Sequence, residues 1–210
     1  MRPKKKAVFT ATTLYAPGEQ ARTGQFNPGD FILTHGNNLF DGCIRWAQGL
    51  RFHGENRKFT WWSHAALIVS KNGDLIEAVP NRVCRSHISK YKDVEYQLVR
   101  LSPSLAGLRD RLQAVDFAKS RLRDGYGMVT ILSILVGLVS GCRFSFGFEN
   151  QEICSELVSR SLERTGAIFP HEPSRMMPAD LAKFFNVSIG EEKNRTILPP
   201  REPFFAGSGG

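Results

Sequence analysis

The stretch WWSHAALIVSKNGDLIEAV, residues 61 to 79, constrains the fold more than any other part of the chain. Apolar residues run from Ala65 to Val69 and again from Leu75 to Val79, with Asn72-Gly73 between them. Asn-Gly takes up the positive φ values of a type I′ turn at little cost, and that turn matches the twist of two antiparallel strands. The segment is therefore predicted to be a β-hairpin. His64 opens its first strand.

A second segment, FENQEICSELVSRSLERTG from Phe148 to Gly166, is punctuated as a helix. Asn150 suits the N-cap, Ile153, Leu157, Val158 and Leu162 form one apolar stripe, and Gly166 suits the C′ stop. Cys154 falls in the first turn, near the positive end of the helix dipole. That field and the unpaired N–H groups of the turn favour thiolate over thiol, lowering the pKa below the usual value of about 8.5. A nucleophile is one reading, and a small buried hydrophobe is the other. His64 sharpens the first, because an imidazole can hold a thiolate as an ion pair and later protonate a leaving group. Alone, His64 would read as a surface or capped residue.

Five segments in order, GDFIL at 29 to 33, SHAALIV at 63 to 69, LIEA at 75 to 78, ICSELV at 153 to 158 and PSRMMPADLAKF at 173 to 184, carry a resemblance. Together they resemble the YiiX-like hydrolases, a circularly permuted branch of the NlpC-like, papain-fold cysteine hydrolases related to lecithin retinol acyltransferase. The order His, Glu, Cys is that of the permuted branch, and the resemblance covers about 29 to 185. It implies an α+β, permuted papain-like (NlpC-like) fold, with an antiparallel sheet packed against the helix that carries the cysteine. It also implies Cys154 as nucleophile, His64 as general base and acid, and Glu77 as the group that orients the imidazole. The expected reaction is cleavage of an amide, ester or thioester bond in a peptide, N-acyl amino acid or lipid acyl substrate through an acyl-enzyme, with no cofactor and no metal. Passing the acyl group to an amine or alcohol would make the same residues a transferase.

The orienting group has two candidates. A strict two-residue turn pairs positions 71 and 74, so Glu77 lies opposite Ile68 and about 13 Å along the strand from His64. That register sets Asn81 opposite His64. Glu77 follows the family pattern and Asn81 follows ideal pairing, while a bulge, a longer loop or strong twist would bring Glu77 closer.

Cysteines at 43, 84, 142 and 154 show neither CxxC nor Cys/His metal spacing. After MRPKKK, the segment AVFTATTLYAPGEQ lacks the continuous apolar core of a secretory signal, so a reducing, cytoplasmic setting with free thiols is expected, export by another route staying open. The net charge of +8 admits an anionic partner. Its one dense patch, Arg2, Lys4, Lys5 and Lys6, suits weak contact with a membrane surface or non-specific contact with nucleic acid. No zinc finger, RNP-like signature or aromatic ladder points to specific nucleic-acid binding. A non-catalytic, basic membrane- or protein-binding module is the alternative to an enzyme.

With 210 residues, the chain suffices for one sizeable core. Residues 1–28 read as a polar arm, 29–190 as the domain and 191–210 as an extended tail. Short strands are expected at Phe31 to Thr34 and Tyr96 to Leu101, a helix at Leu39 to Leu50 carrying Ile44, Trp46 and Ala47, and a polar loop at His53 to Lys58. Leu105, Leu108, Leu112, Val115 and Leu122 recur at helical spacing, which predicts a helix over 104–123 with Arg109, Asp110, Arg111 and Lys119 on its other faces. The apolar run MVTILSILVGLV, residues 128 to 139, is too short for a span of about 20 residues. It reads as a core helix or lid, or as a surface for an acyl chain or bilayer.

Overall fold

A computed structural model describes residues 11–79, 82–103, 106–122 and 154–188. Six strands form one antiparallel sheet: β1 (Ala11–Tyr15), β2 (Phe31–His35), β3 (His64–Ile68), β4 (Asp74–Val79), β5 (Arg82–His87) and β6 (Glu95–Arg100). Their order is β1-β6-β2-β3-β4-β5. The described helices are α1 (Leu39–Arg51), α2 (Leu108–Ser120), α3 (Cys154–Glu163) and α4 (Pro178–Phe184). The fold is α+β. Among the described residues, no helix is long and apolar enough to cross a membrane.

Successive strand residues point to opposite faces, so this sheet buries two apolar sets. Phe31, Leu33, Ala65, Leu67, Ile76 and Val99 face one side, where they pack with Ala118 of α2, Leu157, Val158 and Leu162 of α3, and Leu181 of α4. Ile32, Ala66, Ile68, Leu75 and Leu98 face the other, under Ala21, Phe26, Ile88 and Tyr91. The described part of the expected arm therefore belongs to the domain. Residues 11–15 pair with β6 as an edge strand, and Phe26 is fully buried on the second face.

Two further expectations are corrected. Residues 54 to 61 form a 3-10 segment rather than a polar loop. In α2 the buried residues are Arg111, Ala114, Val115 and Ala118, while Leu108 and Leu112 are exposed. Arg111, expected on a solvent face, turns inward because buried Asp30 awaits it: Nη1 donates to Oδ1 at 2.7 Å. Asp30 also accepts the Leu101 and Asn27 amides, and Arg111 donates to the carbonyls of Pro28 and Leu101. Burial still raises the Asp30 pKa despite the guanidinium. Gly29 makes this approach possible, for its backbone has φ +89° and a Cβ there would press on the Arg111 side chain at 3.3 Å. Asn81, Cys142, Asn150, the run 128–139 and the tail 191–210 lie outside the described residues.

Candidate active site

The hairpin connection decides which carboxylate meets His64. β3 and β4 pair as Ile68↔Leu75, Leu67↔Ile76 and Ala66↔Glu77, and the Val69 amide donates to the Asp74 carbonyl at 2.8 Å. The loop is thus the four residues Ser70 to Gly73, not the two-residue turn that Asn72-Gly73 suggests. Ser70 explains the length: its hydroxyl accepts the amides of Asn72 and Asp74 and donates to Asp74 Oδ2 at 2.6 Å. Gly73 supplies the positive φ of +93°.

This register shifts the pairing by two residues, so faces are kept while partners change. Glu77 sits opposite Ala66 rather than Ile68, and continuing the ladder puts Val79, not Asn81, across from His64. His64 and Glu77 become diagonal neighbours on one face, which long side chains can bridge. His64 Nε2 and Glu77 Oε2 lie 2.8 Å apart.

Glu77 is fully buried and receives two more donors from the 3-10 turn Ile88–Tyr91. Tyr91 Oη donates to Oε2 at 2.5 Å and Lys90 Nζ to Oε1 at 2.7 Å. Burial alone would raise the Glu77 pKa, but the hydrogen bond and charge of His64, with Lys90, hold it well below the usual carboxylate range. For Tyr91, burial and the adjacent Glu77 anion push the phenol well up. Nothing in the sequence signals Lys90 or Tyr91, because neither lies on a periodic face that includes Glu77.

Cys154 is the first residue of α3, whose apolar residues seat it on β3 and β4. The β3–β4 ladder ends at Ala66↔Glu77. Just beyond that end, the Ala65 amide hydrogen-bonds the Cys154 sulfur, as does the Ser155 amide. The thiol thus reaches His64 at the place where the two strands part. Burial opposes the thiolate, yet the charge and hydrogen bond of His64 with these amides outweigh it and lower the pKa of Cys154. Burial likewise opposes the imidazolium, but the thiolate and Glu77 raise the His64 pKa to about 10. The two shifts favour the thiolate–imidazolium pair over the neutral pair, with Glu77 on Nε2.

The segment that delivers His64 is fixed from behind. Gln48 of α1 donates to the Trp62 carbonyl at 2.8 Å and accepts the Ala179 amide at 2.8 Å, and Trp62 Nε1 donates to the Val187 carbonyl at 3.2 Å. On α3, Ser155 donates to the Met176 carbonyl at 2.5 Å, tying the helix start to the segment before α4. Of the other described cysteines, Cys43 is exposed on α1 and Cys84 lies opposite Glu77 on β5. Among the described residues, no group of three or more His, Cys, Asp or Glu side chains is placed to hold a metal ion.

Fold and site together define an α+β chain in which a helix-borne thiol meets a hairpin-borne imidazole and carboxylate. No protein-family model matches the chain, and no curated protein matches it either.

Proposed function

We propose that the protein is a thiol hydrolase of the permuted papain-like, NlpC-like kind that its sequence resembles. One observation carries the reading: His64 stands between the Cys154 sulfur and the Glu77 carboxylate, 2.8 Å from the latter, with the thiol pKa lowered and the imidazole pKa raised. The Cys154 thiolate attacks an amide, ester or thioester carbonyl, and the oxyanion is met by the Cys154 backbone N–H at the helix start. Imidazolium His64 then protonates the leaving amine, alcohol or thiol as the carbonyl re-forms. Water, deprotonated by neutral His64, resolves the acyl-enzyme to a carboxylic acid. An amine or alcohol in place of water would make the product an acyl-transfer product. A free thiolate of this kind suits a reducing compartment, and the cytoplasm is the proposed setting.

The test is competitive alkylation of the four cysteines at neutral pH, followed by profiling with short acyl, aminoacyl and peptide probes. Cys154 should label first, and Cys154→Ala should remove both probe labelling and turnover. His64→Ala should lower turnover about a hundredfold or more. A Cys154 that labels no faster than exposed Cys43, or turnover retained in Cys154→Ala, would leave a non-catalytic module as the better reading.

A further inference from the structure

Lys90 carries the ion pairing of the site out to solvent. It belongs to the 3-10 turn Ile88–Tyr91, whose residues Ile88 and Tyr91, three apart, are buried together on the second face of the sheet. The turn is tied to the hairpin loop: the Ile88 amide donates to the Gly73 carbonyl at 2.9 Å, and His87 Nε2 lies 3.0 Å from the Asn72 carbonyl. Lys90 Nζ is thereby held 5.3 Å from the centre of the Tyr91 ring and 2.7 Å from Glu77 Oε1. The lysine side chain is 48% exposed and the carboxylate is fully buried.

The other titratable groups that face Glu77 are His64 from β3, Cys84 from β5, Tyr91 from the same turn and, beyond His64, Cys154 from α3. In the free site the charges balance, thiolate and carboxylate against imidazolium and ammonium. On the thiol-hydrolase reading, acylation changes that balance. The thiolate becomes a neutral thioester, the imidazolium has given its proton to the leaving group, and Glu77 faces a neutral ring. Burial lowers the His64 pKa, and of the two anions that raise it the thiolate acts more strongly than Glu77. Once the thiolate is gone, the Glu77 charge alone draws a proton back onto the ring, and a protonated ring takes none from water. A buried carboxylate stays ionised beside a neutral imidazole only if another cation meets it.

We propose that Lys90 is a positioning residue for the second half of the reaction, acting through Glu77: it holds Oε1 and balances the carboxylate, which keeps His64 neutral in the acyl-enzyme. The inference rests on the thiol-hydrolase reading. The water oxygen bonds to the acyl carbon and its proton passes to His64. The C–S bond breaks with its electron pair left on sulfur, and the carboxylic acid departs. Thiolate and imidazolium are both restored. Tyr91 cannot take the place of Lys90, because its phenol donates to Oε2 without bringing a charge.

The experiment uses the full chain and p-nitrophenyl acetate, an ester whose leaving group needs no protonation, so that deacylation limits turnover. The wild type should release a burst of one p-nitrophenolate per molecule, absent in Cys154→Ala, and then a slower steady release. Lys90→Gln keeps a donor and loses the charge. It should retain the burst but deacylate about tenfold more slowly at neutral pH, and the midpoint of the rise of deacylation with pH should move up by about one unit. Lys90→Met should do the same, whereas Lys90→Arg should return the midpoint to the wild-type value. An unmoved midpoint in Lys90→Gln and Lys90→Met, or an equal slowing in Lys90→Arg, would overturn the proposal and leave the burst, and with it the hydrolase reading, intact. A wild type with no Cys154-dependent burst would overturn both.

Discussion

His64 keeps its proton across neutral pH because two anions hold it against the cost of burial. The consequence for reactivity has a sign on each side. The Cys154 pKa is lowered, so its alkylation should already have reached a plateau at a pH where an ordinary cysteine, with a pKa of about 8.5, is still mostly thiol. Lowering the pH protonates the sulfur and ends the plateau. On the alkaline side, the imidazolium proposed to protonate the leaving group is lost as pH rises through about 10, so turnover should fall there while alkylation does not. A pH profile of both rates checks this, and a thiol whose rate climbs only around the ordinary value would refute the ion pair. Glu77→Gln should cut turnover about tenfold or more, because each pKa unit taken from His64 is about 1.4 kcal/mol of lost ion pairing. The amide would also offer a donor where His64, Lys90 and Tyr91 all need an acceptor. Tyr91→Phe removes one of three donors, so its effect on turnover should be smaller than that of Glu77→Gln. Equal effects would mean that Tyr91 does more than hold the carboxylate.

The four-residue loop between β3 and β4 sets the distance on which this chemistry depends, and Gly73 is its weak point. A Cβ at Gly73 would come within 2.7 Å of Ile88 Cγ2 and 3.1 Å of Phe26, on a backbone with φ +93°. Gly73→Ala should therefore cost about 1–3 kcal/mol in urea denaturation. It should also slow Cys154 alkylation, because Ile88 begins the turn that carries Lys90 and Tyr91. A second clamp joins β2 to α2. Arg111→Met leaves Asp30 buried without its cation and should cost about 3–5 kcal/mol, whereas loss of an exposed pair such as Lys119–Asp116 should cost under about 1 kcal/mol. Elements such as these show what a sequence exposes and what it hides. His64 and Cys154 were legible because each opens an element with strong punctuation, an apolar run for β3 and a stripe ending at Gly166 for α3. Glu77 was legible as a residue type, but its reach was not: Asn72-Gly73 promised a tight turn, and the Ser70 hydroxyl stabilised a longer one. In α2 the leucines misled, since the buried face is made of alanines, Val115 and an arginine that scores as polar.

The sheet has a core on each side, and the second depends on residues that read as an arm. Polar and glycine-rich, the stretch from 16 to 28 hides a single large apolar residue, Phe26, and one such residue makes no periodic pattern. Phe26→Ala should cost about 3–5 kcal/mol and Leu157→Ala about 2–5 kcal/mol. Because the sheet lies between the two sites, the double variant should lose the sum to within about 0.5 kcal/mol, as denaturant midpoints would show. A clear departure from additivity would mean that the faces communicate through the strands. His64 and Glu77 meet across a local hairpin, 13 residues apart, whereas Cys154 comes from a helix near the far end of the described chain. On the proposed reading, the Cys154 thiol keeps ordinary reactivity until α3 has docked on β3 and brought it to His64. The sulfur is consequently its own folding sensor, and its labelling rate at neutral pH counts finished molecules.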